Sequence, residues 1–549
     1  MNVVPSPITL KILLDKNATG RGNLLQALQG QPVAEYDGVL LNGITDDSRR
    51  VAPGDVFIAC AGGEADGRHY IDSAIDAGAA VIFAEKNNKD DAGLYTAFST
   101  VKNVPVFVVE NLKQLVSEIA GSFYHDPSQD IFVCAVTGTN GKTTCTHLLA
   151  QMANAVGERS AVVGTLGFGF VSSEVSGLSN TGLTTPGPVR LQEILSNLYA
   201  HGAKFVAMEA SSHSLDQHRL DGVMVDTAVF TNLSRDHLDY HGTEKAYFEA
   251  KQRLFQLPDV QTAIVNADDP VAQALLEKLP SDVTALSYST DKAKMGAADL
   301  VVSRIAHDSG VTKITIESKW GSGATTTRLI GEFNLSNLAA AMLVQLSRGA
   351  KFNDVLAIIP ELSSVSGRME AVETVADDIS VIVDYAHTPD ALEKILQVLQ
   401  VETADKDLWC VFGCGGDRDK GKRSLMGSVA EKLSQSLVVT SDNPRTEDPS
   451  AIINDILDGL EDHSRSSLNV IENREEAIKY AVTHAAPGDV VLLAGKGHES
   501  YQEVNGIRHN FSDVAVAQDA LALRRVRQNH KQDQQQNQQQ DQRKQGDAS

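Results

Sequence analysis

The apolar positions of this chain fall into short runs that alternate between strand-like and helical spacing. Between about residues 40 and 125, runs such as Asp55-Val-Phe-Ile-Ala and Ala80-Val-Ile-Phe-Ala are separated by helical patterns, which predicts a small α/β unit. A second block opens with Ile131-Phe-Val-Cys-Ala-Val-Thr, a continuous apolar run expected of a parallel strand buried on both faces. Ser160-Ala-Val-Val-Gly, Phe205-Val-Ala-Met-Glu, Thr227-Ala-Val-Phe-Thr and Thr262-Ala-Ile-Val-Asn follow, most of them separated by helical stretches, which predicts βαβ units. A third block starts near Ser366 and repeats the pattern with Ser380-Val-Ile-Val-Asp, Leu408-Trp-Cys-Val-Phe-Gly, Leu437-Val-Val-Thr and Asp489-Val-Val-Leu-Leu-Ala. These strands end on Gly, Asp or Ser, so ligands are expected at their carboxyl ends. His125-Asp-Pro-Ser128 reads as a hinge, because the residue before a proline is driven out of helix. The expected divisions are therefore 1–127, 128–365 and 366–528, followed by a Gln-rich tail over 529–549 that lacks apolar periodicity and is expected to be disordered.

Length agrees with several units, since 549 residues exceed what one core can organise. The formal net charge of −23 excludes a basic nucleic-acid face, although local cations in a cleft can still receive an anionic substrate. Five cysteines (Cys60, Cys134, Cys145, Cys410, Cys414) show no zinc spacing, and an odd, sparse set fits a reducing compartment. No stretch reads as a secretory leader or reaches the roughly 18 apolar residues of a membrane helix. The sequence thus predicts a cytoplasmic protein with neither nucleic-acid nor membrane partners.

Val136-Thr-Gly-Thr-Asn-Gly-Lys-Thr-Thr144 lies between a buried strand and a helical pattern. Gly138 and Gly141 let backbone amides curl around phosphate oxygens with Thr139 and Asn140, and the helix N-terminus adds a favourable dipole. Lys142 supplies a mobile cation for the β and γ phosphates, and Thr143 or Thr144 a hydroxyl for magnesium. The position five before Gly141 is Val136 rather than glycine, so this is a variant of the usual phosphate loop.

At this variant loop, TGTNGKTT, the chain resembles the Mur ligases, and within them the MurE type, from about Asp46 to Arg525. The resemblance implies a three-domain α/β fold: a central P-loop-type parallel-sheet domain for ATP, flanked by an N-terminal α/β domain for the UDP end and a C-terminal Rossmann-like domain for the incoming amino acid. It implies an ATP-dependent ligase with magnesium; the chain is expected to act as a monomer. Its substrates would be a UDP-N-acetylmuramoyl-dipeptide and an amino acid.

Residue by residue, the resemblance assigns Glu209, at a strand end, and His237, in Ser-Arg-Asp-His-Leu-Asp, to magnesium. It assigns Ser211, Gln217, Arg219, Thr184 and Thr185 to the muramoyl peptide. It makes Lys251 a carbamylated lysine that adds an anionic metal ligand. The chemistry is coherent: an exposed lysine has a pKa near about 10.4, whereas a desolvated one beside a cation is held neutral and can react with carbon dioxide. By its neighbours alone, Glu-Ala-Lys-Gln-Arg, Lys251 would read as a helix-surface residue. Asn337 and Arg368 resemble nucleotide contacts, and Asp384, at a strand end, suits a ribose hydroxyl. Asp46, Ser48 and the loop Gly63, Glu64, Ala65 resemble the UDP-binding elements.

Arg418 looks like a carboxylate clamp, and Asp442, Asn443, Pro444 and Arg445 form the tetrapeptide that in MurE enzymes marks addition of meso-diaminopimelate rather than lysine. An arginine offers the distal carboxylate of diaminopimelate a bidentate partner, and lysine would leave it unmet. Gly495 and Glu499 resemble the remaining contacts, with Glu499 suited to the distal ammonium. A lysine-adding enzyme of the same type should lack the arginine at 445. A folylpolyglutamate synthetase would carry Gly-Lys-Gly-Ser where this chain has Gly-Lys-Thr-Thr. A nucleotide-gated binding protein without ligase activity would need fewer of Lys142, Glu209, His237 and Lys251.

Overall fold

Three separate parallel-rich sheets organise the chain in a computed structural model, which describes residues 6–19, 24–62, 66–86, 97–171, 177–308, 311–329, 331–365, 367–372, 377–403, 406–461 and 467–527. The first sheet has the strand order Gly43–Thr45, Asp55–Ala59, Val81–Glu85, Val104–Val109, Ser99–Val101, all parallel except the last pair. The Gln-rich tail lies outside the described residues. Among those described, no helix is long and apolar enough to cross a membrane.

The central sheet is the largest. From one edge its strands run Gly167–Phe170, Ser160–Gly164, Phe205–Glu209, Phe132–Thr137, Thr227–Phe230, Thr262–Asn266, Thr284–Ser289, Leu300–Asp308, Val311–Ser318 and Gly321–Thr327. Alternation along Phe132–Thr137 explains its unbroken apolarity. Val133 and Ala135 enter the core on one face, and Cys134 and Val136 enter the core on the other. Helices Lys142–Ala155 and Glu332–Ser347 supply Leu148, Leu149, Met152, Leu338 and Met342 to the second of these cores. The last three strands form an antiparallel extension that the βαβ reading did not include.

Register decides where the strands deliver their ends. Glu209 pairs with Val136 and Phe230 with Thr137, so three neighbouring parallel strands stop on one line and their loops meet beyond it.

The third sheet runs Glu370–Ala371, Ser380–Asp384, Val490–Ala494, Leu408–Phe412, Ser436–Val439, Leu468–Val470, parallel apart from its first pair. Asp384 and Phe412 both pair with Ala494, which aligns three more carboxyl ends and gathers the loops starting at Gly413, Thr440 and Gly495. At the expected hinge, His125 and Asp126 take left-handed φ values of 65° and 48° before a short 3-10 turn at Pro127–Gln129.

Candidate active site

The loop between Thr137 and Lys142 closes tightly because two glycines take left-handed geometry, Gly138 at φ 149° and Gly141 at φ 84°. Neither position has room for a side chain. A Cβ on Gly138 would lie 1.9 Å from Thr231 Oγ1, and one on Gly141 would lie 2.5 Å from Asn337 Oδ1. Thr139 braces the loop: its hydroxyl donates to the Ser234 carbonyl at 3.1 Å and accepts from the Ser234 amide at 2.9 Å. The Asn140 amide donates to Asn232 Oδ1 at 2.9 Å, while Asn140 Nδ2 donates to Asp390 Oδ2 on the third unit at 2.9 Å. Lys142 opens the helix, and its Nζ donates to the Gly138 and Thr139 carbonyls at 2.8 Å each. Burial lowers the Lys142 pKa, against the pull of Glu209 and Asp236. Thr143 and Thr144 are buried, and Thr143 Oγ1 accepts from Arg368 Nη2 at 3.2 Å.

Glu209 is buried at the end of its strand. Its Oε1 accepts from the Thr165 amide at 2.9 Å and its Oε2 from the Thr165 hydroxyl at 3.0 Å. Thr165 Oγ1 also lies 3.1 Å from Thr184 Oγ1. Thr185 Oγ1 donates to the Glu209 carbonyl at 2.7 Å and accepts from the Ser211 amide at 3.1 Å. Ser211 in turn caps the helix Ser212–Asp216 by accepting from Ser214 N. Arg219 donates to the Thr185 carbonyl at 2.6 Å and, through Nη2, to Gln217 Oε1 at 2.6 Å. Thr184, Thr185, Ser211, Gln217 and Arg219 are thus one connected set beside Glu209. Thr165 belongs with them, and sequence reasoning passed over it because nothing in Val-Gly-Thr-Leu signals a carboxylate partner.

Lys251 is 1% exposed on the helix Glu244–Gln252, so its surrounding charged sequence misleads about its setting. Its Nζ donates to the Gly138 carbonyl at 2.8 Å and lies 4.3 Å from the centre of the Tyr247 ring. Burial and the neighbouring Lys142 push its pKa well down, with Asp236 opposing. His237 takes a left-handed φ of 53° and stacks edge-on to His213 with ring centres 4.8 Å apart. Burial, with His213, Lys142 and Lys251 nearby, keeps its imidazole neutral. Asp236 was not singled out from sequence. Burial favours its acid form, yet Lys422 beside it and the His237 amide, which donates to Oδ1 at 2.9 Å, hold the carboxyl below its ordinary range.

A cleft of about 630 Å³ lies between the central and third units, within the roughly 300–1,000 Å³ of small-molecule sites. Asn140, Gly141, Thr144, Asn337, Arg368 and Asp384 all line it. Asp384 is held by the amides of Met369 and Ala386, each 2.7 Å from one carboxylate oxygen. Burial nonetheless pushes its pKa up to about 6, against Arg368 and those amides. The Arg368 guanidinium lies 4.4 Å over the Tyr385 ring.

On the third unit, Asp442, Asn443 and Pro444 are buried and Arg445 is half-buried with φ 51°. Arg445 Nη1 donates to the Gly416 carbonyl at 2.6 Å. Asn443 Nδ2 donates to Glu499 Oε2 at 2.8 Å, and a Cβ on Gly495 would lie 2.7 Å from Asp442 Oδ2, so 442, 443, 495 and 499 come together. Arg418 stands apart: it is exposed, and its Nη1 reaches only the Asp417 carbonyl at 3.3 Å. Arg423, itself fully buried and bonded to Glu447, Asp455 and the Gly415 carbonyl, secures that loop.

Asp46 and Ser48 line a cleft of about 1200 Å³ on the first unit that also includes Gln217 and Arg219. Burial raises the Asp46 pKa, with Arg50 and Arg219 opposing. Gly63, Glu64 and Ala65 lie outside the described residues.

Among the described residues, no three His, Cys, Asp or Glu side chains gather as a metal site of their own. The donors near the Gly138–Gly141 loop are instead the Thr143 and Thr144 hydroxyls, the Glu209 carboxylate and neutral His237. That mostly oxygen set suits magnesium, which commonly takes only one or two carboxylates and completes its shell with phosphate oxygens and water.

Residues 40–124 match the family described as "Mur ligase family, catalytic domain", 136–345 the Mur ligase middle domain, and 367–497 the "Mur ligase, glutamate ligase domain". The chain is 42% identical over 499 residues to UDP-N-acetylmuramoyl-L-alanyl-D-glutamate–2,6-diaminopimelate ligase of Coxiella burnetii (strain RSA 493 / Nine Mile phase I), covering 91% of this chain and 99% of that one. It is similar to a solved structure of a ligase bearing the same name, at a TM-score of 0.62 and 36% identity over 88% of this chain and 95% of the other. The MurF ligase from Thermotoga maritima in complex with ADP shares the fold, at a TM-score of 0.58 and 19% identity over 88% of this chain and 98% of the other. With its three matched domains and this relative spanning nearly its whole length, the chain belongs to the Mur ligase family.

Proposed function

We propose that this chain joins meso-2,6-diaminopimelate to the D-glutamyl carboxylate of UDP-N-acetylmuramoyl-L-alanyl-D-glutamate, using ATP and releasing ADP and phosphate through an acyl phosphate. The 42% identical relative is named as a ligase of UDP-N-acetylmuramoyl-L-alanyl-D-glutamate and 2,6-diaminopimelate, and the residues of this site suit that chemistry. The observation that bears most weight is the meeting of Lys142 and Lys251 at the Gly138 carbonyl, beside the phosphate loop.

The loop amides and Lys142 bind the phosphates of ATP and hold the transferring group in place. Asn337 and Asp384 orient the nucleoside end, and Arg368 reaches from the third unit toward the phosphates. Arg219, Gln217, Ser211 and the two threonines fix the peptide so that its free carboxylate faces the γ phosphate. Lys251, whose ammonium form burial disfavours, gives up a proton to water and adds its amine to carbon dioxide; an N–C bond forms, one C=O bond opens to a carboxylate, and a second proton leaves to water. The resulting carbamate, with Thr143, Thr144, Glu209 and His237, would hold magnesium, which supplies positive charge against the phosphoryl oxygens. The amine of the second amino acid then attacks the acyl phosphate, and phosphate leaves. Much of the rate comes from holding three substrates in register, which the Asn140–Asp390 hydrogen bond between units assists.

Asp442, Asn443, Glu499 and Arg445 receive the distal end of the amino acid. Arg445 lies close enough to Gly415 that a Cβ there would stand 3.0 Å from Nη1, so a small residue keeps the guanidinium accessible from that side. The reading carries with it a cytoplasmic monomer without nucleic-acid or membrane partners; the net charge of −23 speaks against a nucleic-acid face, and the five free cysteines fit a reducing compartment.

The test is mass spectrometry of the product formed from the UDP-muramoyl-dipeptide, ATP and equal amounts of diaminopimelate and lysine. The diaminopimelyl product is expected almost alone. Exclusive lysine addition would refute the specificity, and phosphate release without any amide product would refute the ligase.

A further inference from the structure

Lys496 is fully buried, 0% exposed, in the loop that follows strand Val490–Ala494. Its Nζ donates to Asn443 Oδ1 at 3.1 Å and to Glu499 Oε2 at 3.0 Å, and stands 3.7 Å from Asp442 Oδ1. The ring centre of Tyr501 lies 5.6 Å away on another side. Ammonium groups are seldom buried unless paired, so a lysine set among these groups has a definite task.

From this geometry we infer that Lys496 is a positioning residue for the incoming amino acid, setting the orientation of Asn443 and Glu499 without touching the reacting atoms. The inference rests on the reading that residues 442–445 and 499 receive the distal end of that amino acid.

Three arguments lead to it. An asparagine amide can turn over, exchanging donor for acceptor, and only its partners decide which way it faces. Here Asn443 Oδ1 takes Lys496 Nζ and also the Glu503 amide at 2.9 Å, so Nδ2 is committed to the Glu499 side. Next, Glu499 Oε2 accepts from both Lys496 and Asn443 Nδ2, at 3.0 and 2.8 Å, which leaves Oε1 as the oxygen able to meet an ammonium. Finally, the charges balance. Asp442 and Glu499 are negative and Lys496 and Arg445 positive, so the pocket is neutral, as is the distal ammonium and carboxylate pair of diaminopimelate. Removing the lysine charge would leave two carboxylates side by side, and mutual repulsion would turn them from their places.

A lysine that only stabilised the fold would affect every substrate alike when lost, so the test separates the substrates. In Lys496→Met, the KM for diaminopimelate should rise by at least about tenfold, while the KM for ATP and for the UDP-muramoyl-dipeptide stays within about twofold. Lys496→Gln, whose amide can still donate to Glu499 and Asn443, should show a smaller rise and is the variant to use if the methionine variant does not fold. An unchanged KM for diaminopimelate in a folded variant, or a parallel rise for all three substrates, would overturn the inference. Arg445→Ala is measured alongside. If it leaves diaminopimelate binding untouched, the reading of the pocket fails; if it weakens binding and the Lys496 variants do not, only the role of Lys496 fails.

Discussion

Lys142 and Lys251 donate to one acceptor, the carbonyl oxygen of Gly138, each at 2.8 Å. Two ammonium groups brought so close in a buried place repel each other, so the arrangement favours loss of a proton from one of them. Lys251 bears the larger effect: burial and Lys142 both drive its pKa down with Asp236 alone opposing, whereas Lys142 has Glu209 as well as Asp236 to support its charge. One lysine is therefore suited to stay cationic against phosphate and the other to become a nucleophile toward carbon dioxide.

On the proposed carbamate, replacing Lys251 by alanine should remove an anionic ligand while leaving Lys142 in place. Ligation should fall by roughly 100-fold or more, on the scale of losing a metal-site partner. Short-chain carboxylic acids added to the Lys251→Ala protein should restore part of the rate, because a small carboxylate can occupy the space the carbamate leaves. Steady-state rates with and without formate or acetate check this, and wild-type activity in the unsupplemented variant would eliminate the carbamate.

Gly164 offers a second, more local test. A Cβ there would lie 2.3 Å from Glu209 Oε1, yet the backbone at Gly164 is not in the left-handed region, so alanine costs little in conformation and acts through that contact. Gly164→Ala should push the carboxylate off the Thr165 amide and reproduce the defect of Glu209→Gln, a loss of about 10- to 100-fold. The magnesium concentration for half-maximal rate should rise in both variants. A Gly164→Ala enzyme with normal magnesium dependence would show that Glu209 does not work from its present position.

Much of this was readable in the chain beforehand. Unbroken apolar runs such as Phe205–Met208 announced buried parallel strands, and Gly138, Gly141 and Lys142 marked a tight loop between strand and helix, because these effects depend on neighbours in sequence. The antiparallel extension from Leu300 to Thr327 was not read. Its middle strand, Val311–Ser318, alternates buried and exposed positions, a weaker signal than a continuous run. Residues whose role depends on distant partners escaped as well. Thr165 meets Glu209 across 44 positions, and Lys496 meets Asn443 across 53. In the basic glycine-rich loop, Arg418 is exposed while buried Arg423 holds the loop, a difference of setting that the local sequence does not signal.

Asp384 gives a test through pH. Its pKa of about 6 lies roughly 2 units above the ordinary 3.8, equivalent to about 3 kcal/mol. The sign follows from which state holds the proton more tightly. The folded protein does, so the stability this group contributes is fully present below pH 3.8 and is lost as pH rises through about 6. Ribose binding runs the other way, because a hydroxyl donates best to the ionised carboxylate. The affinity for ADP should therefore be full at pH 7.5 and several-fold weaker at pH 5.5. Asp384→Asn should bind ADP about tenfold more weakly at pH 7.5, on the scale of one hydrogen bond to a charged group, and lose this part of the pH dependence. Titration of the ADP phosphates is common to both proteins and cancels in the comparison. Calorimetry at the two pH values checks the difference, and equal pH dependence in the two proteins would separate Asp384 from the ribose.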